Sequence, residues 1–147
     1  MARVDYWGIE QEIRTVILAN ADVAATSGIQ VLVEEEISMH RTPTVVVTLE
    51  GRSAPDDLQT LSAGQRTRLF LDVVILVHFY AMEVSEAARL RDTLIGNVEI
   101  ALMNNRTLNN LVSNLWLTGG AIVTVGGQAG FNAVGEVRVT VDVTASI

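Results

Sequence analysis

Hydrophobic residues dominate one stretch of the chain, TRLFLDVVILVHFY at residues 67–80. Its β-branched and aromatic content predicts a long strand. Successive side chains of a strand point to opposite faces, and here both rows are largely apolar, so both faces are expected to be covered. An unbroken strand of this length would extend about 46 Å, so part of it is expected to project beyond the sheet.

A helical pattern follows this strand almost at once. Ala87, Leu90, Leu94 and Val98 recur at helical spacing, which predicts an apolar stripe that covers the row of Leu71, Val73 and Ile75. Ser85 is the predicted N-cap, and the helix is expected to end at Asn104 and Asn105. Gly96 inside the helix is expected to permit close packing on the sheet. This strand and helix are therefore predicted to form the centre of the domain.

The other predicted elements are shorter. An amphipathic helix is predicted at residues 6–20 with Asp5 as its cap, and strands are predicted at residues 29–33, 44–50, 121–125 and 136–144. Residues 52–66 are predicted to form a long loop and residues 126–135 a hairpin tip, whereas residues 107–118 fit either a helical turn or an irregular strand. The order predicts one α+β domain over residues 1–147. It has a mainly antiparallel sheet of about five strands with two helices on one face.

Composition points towards assembly. The chain has 147 residues, no cysteine and a formal net charge of −7, so disulfides and thiolate metal sites are excluded and a nucleic-acid-binding surface is disfavoured. Hydrophobic residues make up 49% of the chain, yet no apolar run is long enough to cross a bilayer as a helix. No membrane partner is therefore expected, and the surplus apolar surface is predicted to be buried against other subunits.

Two segments offer weak candidates for ligand binding. The glycine-rich segment from Gly126 to Gly130 is followed by neither a Lys-Ser/Thr pair nor a predicted helix, so a hairpin tip is favoured over a phosphate loop. The acidic run 34–36 lies near His40, but neighbouring strand residues point to opposite faces and cannot converge on one cation. A solvated charge run is the favoured interpretation, and we expect no metal or cofactor.

His78 and Asp72 carry the alternative hypothesis of a small enzyme or ligand-binding domain. Both lie on the same predicted face of the long strand, and with a serine they could be imagined as a catalytic triad. The chain has no G-x-S-x-G turn to present a nucleophile. A histidine packed in the core or at an interface is therefore favoured, and no catalytic residue is predicted.

The order of elements resembles that of the tail-terminator (tail-completion) proteins of long-tailed phages, the group typified by the minor tail protein U of phage lambda. The resemblance covers roughly residues 4–146 and includes the N-terminal helix, the strand pair around TPTVVVTLEG, the strand–helix unit and the closing strand GEVRVTVDVTAS. No short diagnostic motif supports it. Neck stopper or connector proteins and tail-tube subunits are the neighbouring alternatives, although two clear helices disfavour a tube subunit.

The resemblance implies a non-enzymatic virion protein that forms a ring, usually a hexamer. Such a ring caps the head-proximal end of the tail tube, ends tube polymerisation and offers the surface that joins the head. The implied partners are other copies of the chain, the tail-tube protein and a head–tail connector or stopper, while DNA passes through without specific binding. Assembly in the host cytoplasm and a final place in the virion tail follow from the same resemblance.

Positions for these contacts are predicted from the pattern alone. The second row of the long strand needs a partner, so subunit contacts are predicted at Phe70, Val74, Leu76, His78 and Tyr80. The long loop and the hairpin tip are predicted to touch the tube or the connector through Arg52, Asp56, Asp57, Arg66, Gln128 and Phe131. An acidic lumen, which would let DNA pass without sticking, is predicted to be lined by Glu34, Glu35 and Glu36.

Overall fold

The computed structural model describes residues 4–35, 42–54, 66–127 and 129–146. It contains three helices and six strands in the order α1 (Tyr6–Ala19), α2 (Ala21–Ala24), β1 (Gln30–Val33), β2 (Thr44–Ser53), β3 (Arg66–Ala81), α3 (Val84–Met103), β4 (Asn114–Gly119), β5 (Ile122–Gly127) and β6 (Gly130–Ser146). The α+β prediction is confirmed. The segment that was ambiguous in the sequence forms turns up to Leu111 and then strand β4.

All six strands form one sheet, in the order β1-β2-β3-β6-β4, with β5 also paired to β6. Strands β1 and β2 are parallel and every other pair is antiparallel, so the sheet is mixed, with six strands where about five were expected. β3 takes up one edge of β6 along its whole length, so β4 and β5 follow one another along the other edge. They are two parts of one interrupted edge strand, broken at Gly119 and Gly120.

The helices lie on one face of the sheet and the main core lies beneath them. It joins Ile13 and Ile17 of α1 and Leu94 and Val98 of α3 to alternate residues of the strands. The strand residues of this core include Val45, Val47, Leu71, Val73, Ile75, Val77, Leu115, Val137, Val139 and Val141. The row of β3 that was predicted to face a helix therefore does so.

Strand β3 is longer and better supported than its sequence suggested. It pairs with β6 without interruption from Arg66 opposite Ser146 to Ala81 opposite Phe131. The expectation that part of β3 projects beyond the sheet is therefore wrong, because β6 is equally long. The predicted hairpin tip at 126–135 is correspondingly too long, since β5 continues to Gly127 and β6 begins at Gly130, directly opposite.

The helix ends confirm one predicted cap and correct the other. The Asp5 side chain accepts a hydrogen bond from the Gly8 N–H at 2.9 Å, as expected of an N-cap. Helix α3 instead begins at Val84 after an extended Glu83 that makes no side-chain cap, so Ser85 lies inside the helix. The chain leaves β3 at Ala81 and must turn at once, which starts the helix before the serine is reached.

A glycine of β6 leaves room for a side chain of helix α3. A Cβ atom at Gly96 would meet nothing within 4 Å, so the packing role predicted for Gly96 is wrong. A Cβ atom at Gly135 of β6 would lie 2.4 Å from Ile95 Cδ1, where α3 crosses the sheet. A side chain at Gly135 would require the end of Ile95 to shift, so the glycine leaves room for this α3 side chain against β6.

Candidate assembly surface

The face of the sheet that turns away from the helices carries the predicted subunit contacts. Val74 and His78 are buried there, whereas Phe70, Leu76 and Tyr80 are half-buried. All five lie on one face of β3, as expected from the alternation of side chains along a strand. Their contact with a second subunit stays a prediction.

At one end of this face, aromatic and charged side chains pack together. The Phe70 and Trp116 rings meet edge to face with centroids 5.7 Å apart, and the Arg68 guanidinium lies 5.1 Å from the Phe70 centroid. Arg68 also donates to the Asp142 carboxylate through Nε at 3.0 Å and Nη2 at 2.8 Å.

Further along the face, Arg138 bridges Glu50 of β2 at 2.8 Å and Glu136 at 3.1 Å. The ion pairs therefore link β6 to β3 and to β2, and the Phe70–Trp116 contact links β3 to β4.

At the other end, a buried histidine is held by an amide. His78 is fully buried, and its Nε2 lies 2.7 Å from Asn132 Oδ1. His78 Nδ1 is buried without a hydrogen-bond partner among the described residues. The Tyr80 hydroxyl donates to the Ala129 carbonyl, which closes this end of the sheet. His78 is therefore packed within the fold on this face of the sheet.

The structure does not assemble the Asp72–His78 pair. The two residues are six positions apart on one strand, a separation of roughly 20 Å at about 3.3 Å per residue. Asp72 is exposed, and its strand neighbour across the sheet is Gly51. Among the residues that the structure describes, no group of three or more His, Asp or Glu side chains is placed to hold a metal ion.

Glu34 and Glu35 of the acidic run are exposed, as expected of a solvated charge run, and their place in a lumen stays a prediction. Glu34 adopts a positive φ of 56°, and its Oε1 accepts a hydrogen bond from the Leu49 N–H at 2.9 Å. The Glu34 side chain also lies beside Glu10 of α1, and Glu10 is only 3% exposed. Burial, followed by the hydrogen bond and negative charge of Glu34, raises the pKa of Glu10 from 4.5 to about 8. Glu35 is exposed, and Glu36 lies outside the described residues.

The residues predicted to touch the tube or connector are not brought together. Arg52 lies opposite Leu71 of β3, whereas Phe131 lies opposite Ala81, ten positions further along the same strand. Arg52 donates to the Tyr6 hydroxyl at 2.5 Å, and Phe131 packs against a small cluster of alanines. Arg52 and Phe131 therefore lie far apart along β3. Arg66 begins β3, while Asp56, Asp57 and Gln128 lie outside the described residues.

Two surfaces stand out that the sequence did not single out. Strand β5 exposes Ile122 (59%), Val123 (53%) and Val125 (46%). A groove of about 490 Å³ lies elsewhere, between α3, the end of β3 and the start of β2, with Phe79 and Leu90 among its lining residues. The uncharged stretch from Asn114 to Gly127 was a signal that could have drawn attention to β5. The groove depends on tertiary packing and has no sequence signal.

Comparison with known proteins gives a likeness of fold. No protein-family model matches the chain, and no curated protein matches it. Among solved structures, the chain is similar to the sheath/tube terminator of PVC, an extracellular contractile injection system, in its extended state. The TM-score is 0.52 at 12% sequence identity, over 99% of this chain. This chain spans 59% of that protein's length. None of the described helices is both long enough and apolar enough to cross a membrane.

Proposed function

We propose that the chain is a structural tail terminator, a protein that caps a tail tube at its head-proximal end and ends tube polymerisation. The observation that carries the proposal is the shared fold with a sheath/tube terminator over 99% of the chain. Element order in the sequence led to the same class of protein independently of that likeness. The proposed role is non-enzymatic.

The surface chemistry supports an assembly role. The sheet face opposite the helices combines apolar residues such as Leu76 with the Arg68–Asp142 and Arg138–Glu50 ion pairs. These ion pairs join neighbouring strands beside apolar side chains that a second copy could cover. With a formal net charge of −7, the protein would also repel DNA passing through a ring.

Two distant positions on the sheet suit two different partners. Arg52 of β2 lies opposite Leu71, and Phe131 of β6 lies opposite Ala81, ten residues further along β3, which corresponds to roughly 33 Å along the strand. A terminator must contact the tube on one side and a head connector or stopper on the other. In this proposal copies of the chain form a ring, with a hexamer expected, and these two positions of each copy meet the two partners.

Deletion of the gene in its native particle tests the proposed function. Without a terminator, tube subunits continue to add, so electron micrographs should show tails that are longer than normal, variable in length and unattached to heads. Expression of the protein in trans should restore uniform tails. Tails of normal length in the deletion strain would contradict the proposal, and complete absence of tubes would identify the chain as a tube subunit instead.

A further inference from the structure

Strand β5 forms an apolar arm at the edge of the sheet. The β5 arm, Ile122–Gly127, pairs only with β6 in the described part of the chain, so its other edge is open. Three of its side chains are about half exposed or more, and no charged residue occurs between Asn114 and Gly127. An uncharged edge strand with exposed aliphatic side chains is a surface that proteins normally cover.

The β5 arm is held in place from beneath. The buried Arg91 of α3 donates through Nη1 to the Val123 carbonyl at 3.2 Å and to Thr124 Oγ1 at 3.0 Å. Its Nε is paired with Asp92 at 2.9 Å, so the guanidinium is fixed from both sides. The arm is therefore presented in one conformation, which lowers the entropic cost of docking it against a partner.

The groove offers a matching uncharged surface. Pro43, Phe79, Leu90 and Leu94 contribute apolar lining, and Thr93 and Asn97 contribute polar groups. None of the described lining residues is charged. At about 490 Å³ the groove is within the usual range of about 300–1,000 Å³ for sites that hold apolar groups.

The β5 arm and the groove lie on opposite flanks of helix α3. Arg91 and Ile95 face the side of β5 and β6, whereas Leu90, Thr93 and Asn97 face the groove. At about 100° per residue these two sets lie well apart around the helix axis. A contact between the arm of one copy and the groove of the next is thus heterologous. Repeated contacts of that type give a ring when the rotation between neighbours closes and an open filament when it does not.

Net charge favours a second copy as the occupant. Two copies that each carry −7 repel one another, and the repulsion is weakest where neither surface presents a charged side chain. The arm and the groove are two such surfaces, and both are apolar. A basic partner, in contrast, would be expected to meet acidic side chains at its docking site.

We infer that the β5 arm of one copy docks in the α3 groove of the next and that this contact builds the ring. The inference deepens the proposed function, since it names the contact through which copies would assemble at the tube end. Repetition of the contact leaves every arm and every groove filled, so the ring has no free end.

Paired variants test the contact directly. Val123→Asp places a negative charge on the exposed arm, and Thr93→Asp places one on the groove, so the two altered surfaces repel each other; both positions are exposed enough to leave the fold intact. Sedimentation velocity and native mass spectrometry should show rings for the wild-type protein and monomers for each variant, with contact affinity lowered about tenfold or more. An equimolar mixture of the two variants should give one-to-one dimers and nothing larger, because only one intact arm and one intact groove can meet.

Ile100→Asp is the matched control, because Ile100 is also an exposed aliphatic residue but belongs to neither surface. It should form rings as the wild type does, and circular dichroism should show that all three variants are folded. Rings formed by either single variant, or a mixture without dimers, would overturn the inference. A wild-type protein that stays monomeric at about 1 mM would overturn it as well. Rings that form through this contact but leave tail length unchanged would refute the proposed function alone.

Discussion

At the scale of single residues, the most unusual feature is the carboxyl pair of Glu10 and Glu34. Glu10 Oε2 is buried without a hydrogen-bond partner among the described residues, and the pKa of Glu10 is raised to about 8, chiefly by burial. A carboxyl group in that position keeps its proton at neutral pH and can donate to Glu34. The sequence predicted that Glu34 is solvated, and it is exposed, but its contact with Glu10 was not predictable because the approach of α1 to the end of β1 is a tertiary contact with no local signal.

The pair makes stability depend on pH. Glu10 has its ordinary pKa of 4.5 in the unfolded chain and about 8 in the fold, so the folded state binds an extra proton between those values. Stability contributed by this proton is complete below pH 4.5 and is lost as pH rises towards 8. We therefore predict that the melting temperature falls as pH is raised through this window.

Glu10→Gln isolates the effect, because its amide can still donate to Glu34 but has no proton to lose in this pH range. Thermal melts at about pH 5 and about pH 8.5 should differ less for Glu10→Gln than for the wild type. Glu35→Gln, at an exposed position next to Glu34, should behave as the wild type. Equal pH dependence in the wild type and Glu10→Gln would show that Glu10 is ionised in the folded protein.

At the scale of elements, glycines mark where strands break and leave room for helix side chains against the sheet. Gly120 has a φ of 149°, and a Cβ atom there would lie 2.0 Å from the Glu136 carbonyl oxygen. Gly120 therefore marks the break that separates β4 from β5 while both remain on the edge of β6. The sequence predicted a strand after this break, at residues 121–125, and left residues 107–118 open between a helical turn and an irregular strand. It did not predict that β4 and β5 share one edge, since pairing partners are set by the whole sheet.

Alanine substitution at two glycines should have opposite effects. Gly120→Ala should lower the free energy of unfolding by about 1–3 kcal/mol, because it forces both a steric clash and an unfavourable φ. Gly96→Ala, in open space inside α3, should raise it by about 0.5–1 kcal/mol through helix propensity. Urea denaturation measures both, and a neutral Gly120→Ala variant would mean that the β4–β5 break differs from the one described.

Arg91 connects helix α3 to the β5 arm. Replacing it with leucine removes the donors to the Val123 carbonyl and to Thr124, so the β5 amides should exchange with solvent faster. Hydrogen exchange read by mass spectrometry should show faster exchange in β5 and unchanged protection in β3. Arg89→Leu, at an exposed position of the same helix, is the control. Unchanged exchange in β5 after Arg91→Leu would mean that β6 alone holds the arm.

At the scale of the whole molecule, the sequence predicted that helices cover one face of a sheet, but not how all the strands pair. Alternating valines at residues 137–143 and the apolar stripe of α3 were sufficient to predict a sheet covered by helices on one face. The parallel pairing of β1 with β2 and the groove beside α3 were not predictable, because both depend on residues distant in sequence. Part of the apolar surface that suggested assembly lies on the β5 arm and in the lining of the groove.

Seeded growth of the cognate tail tube is the most direct test of the terminator role. Purified tube protein is added to short tube seeds with increasing amounts of this protein, and tube length is measured by electron microscopy. The account predicts that growth stops at amounts far below one copy per tube subunit, with ring-shaped density at a single tube end. Growth at an unchanged rate, with bare tube ends at every concentration, would contradict it.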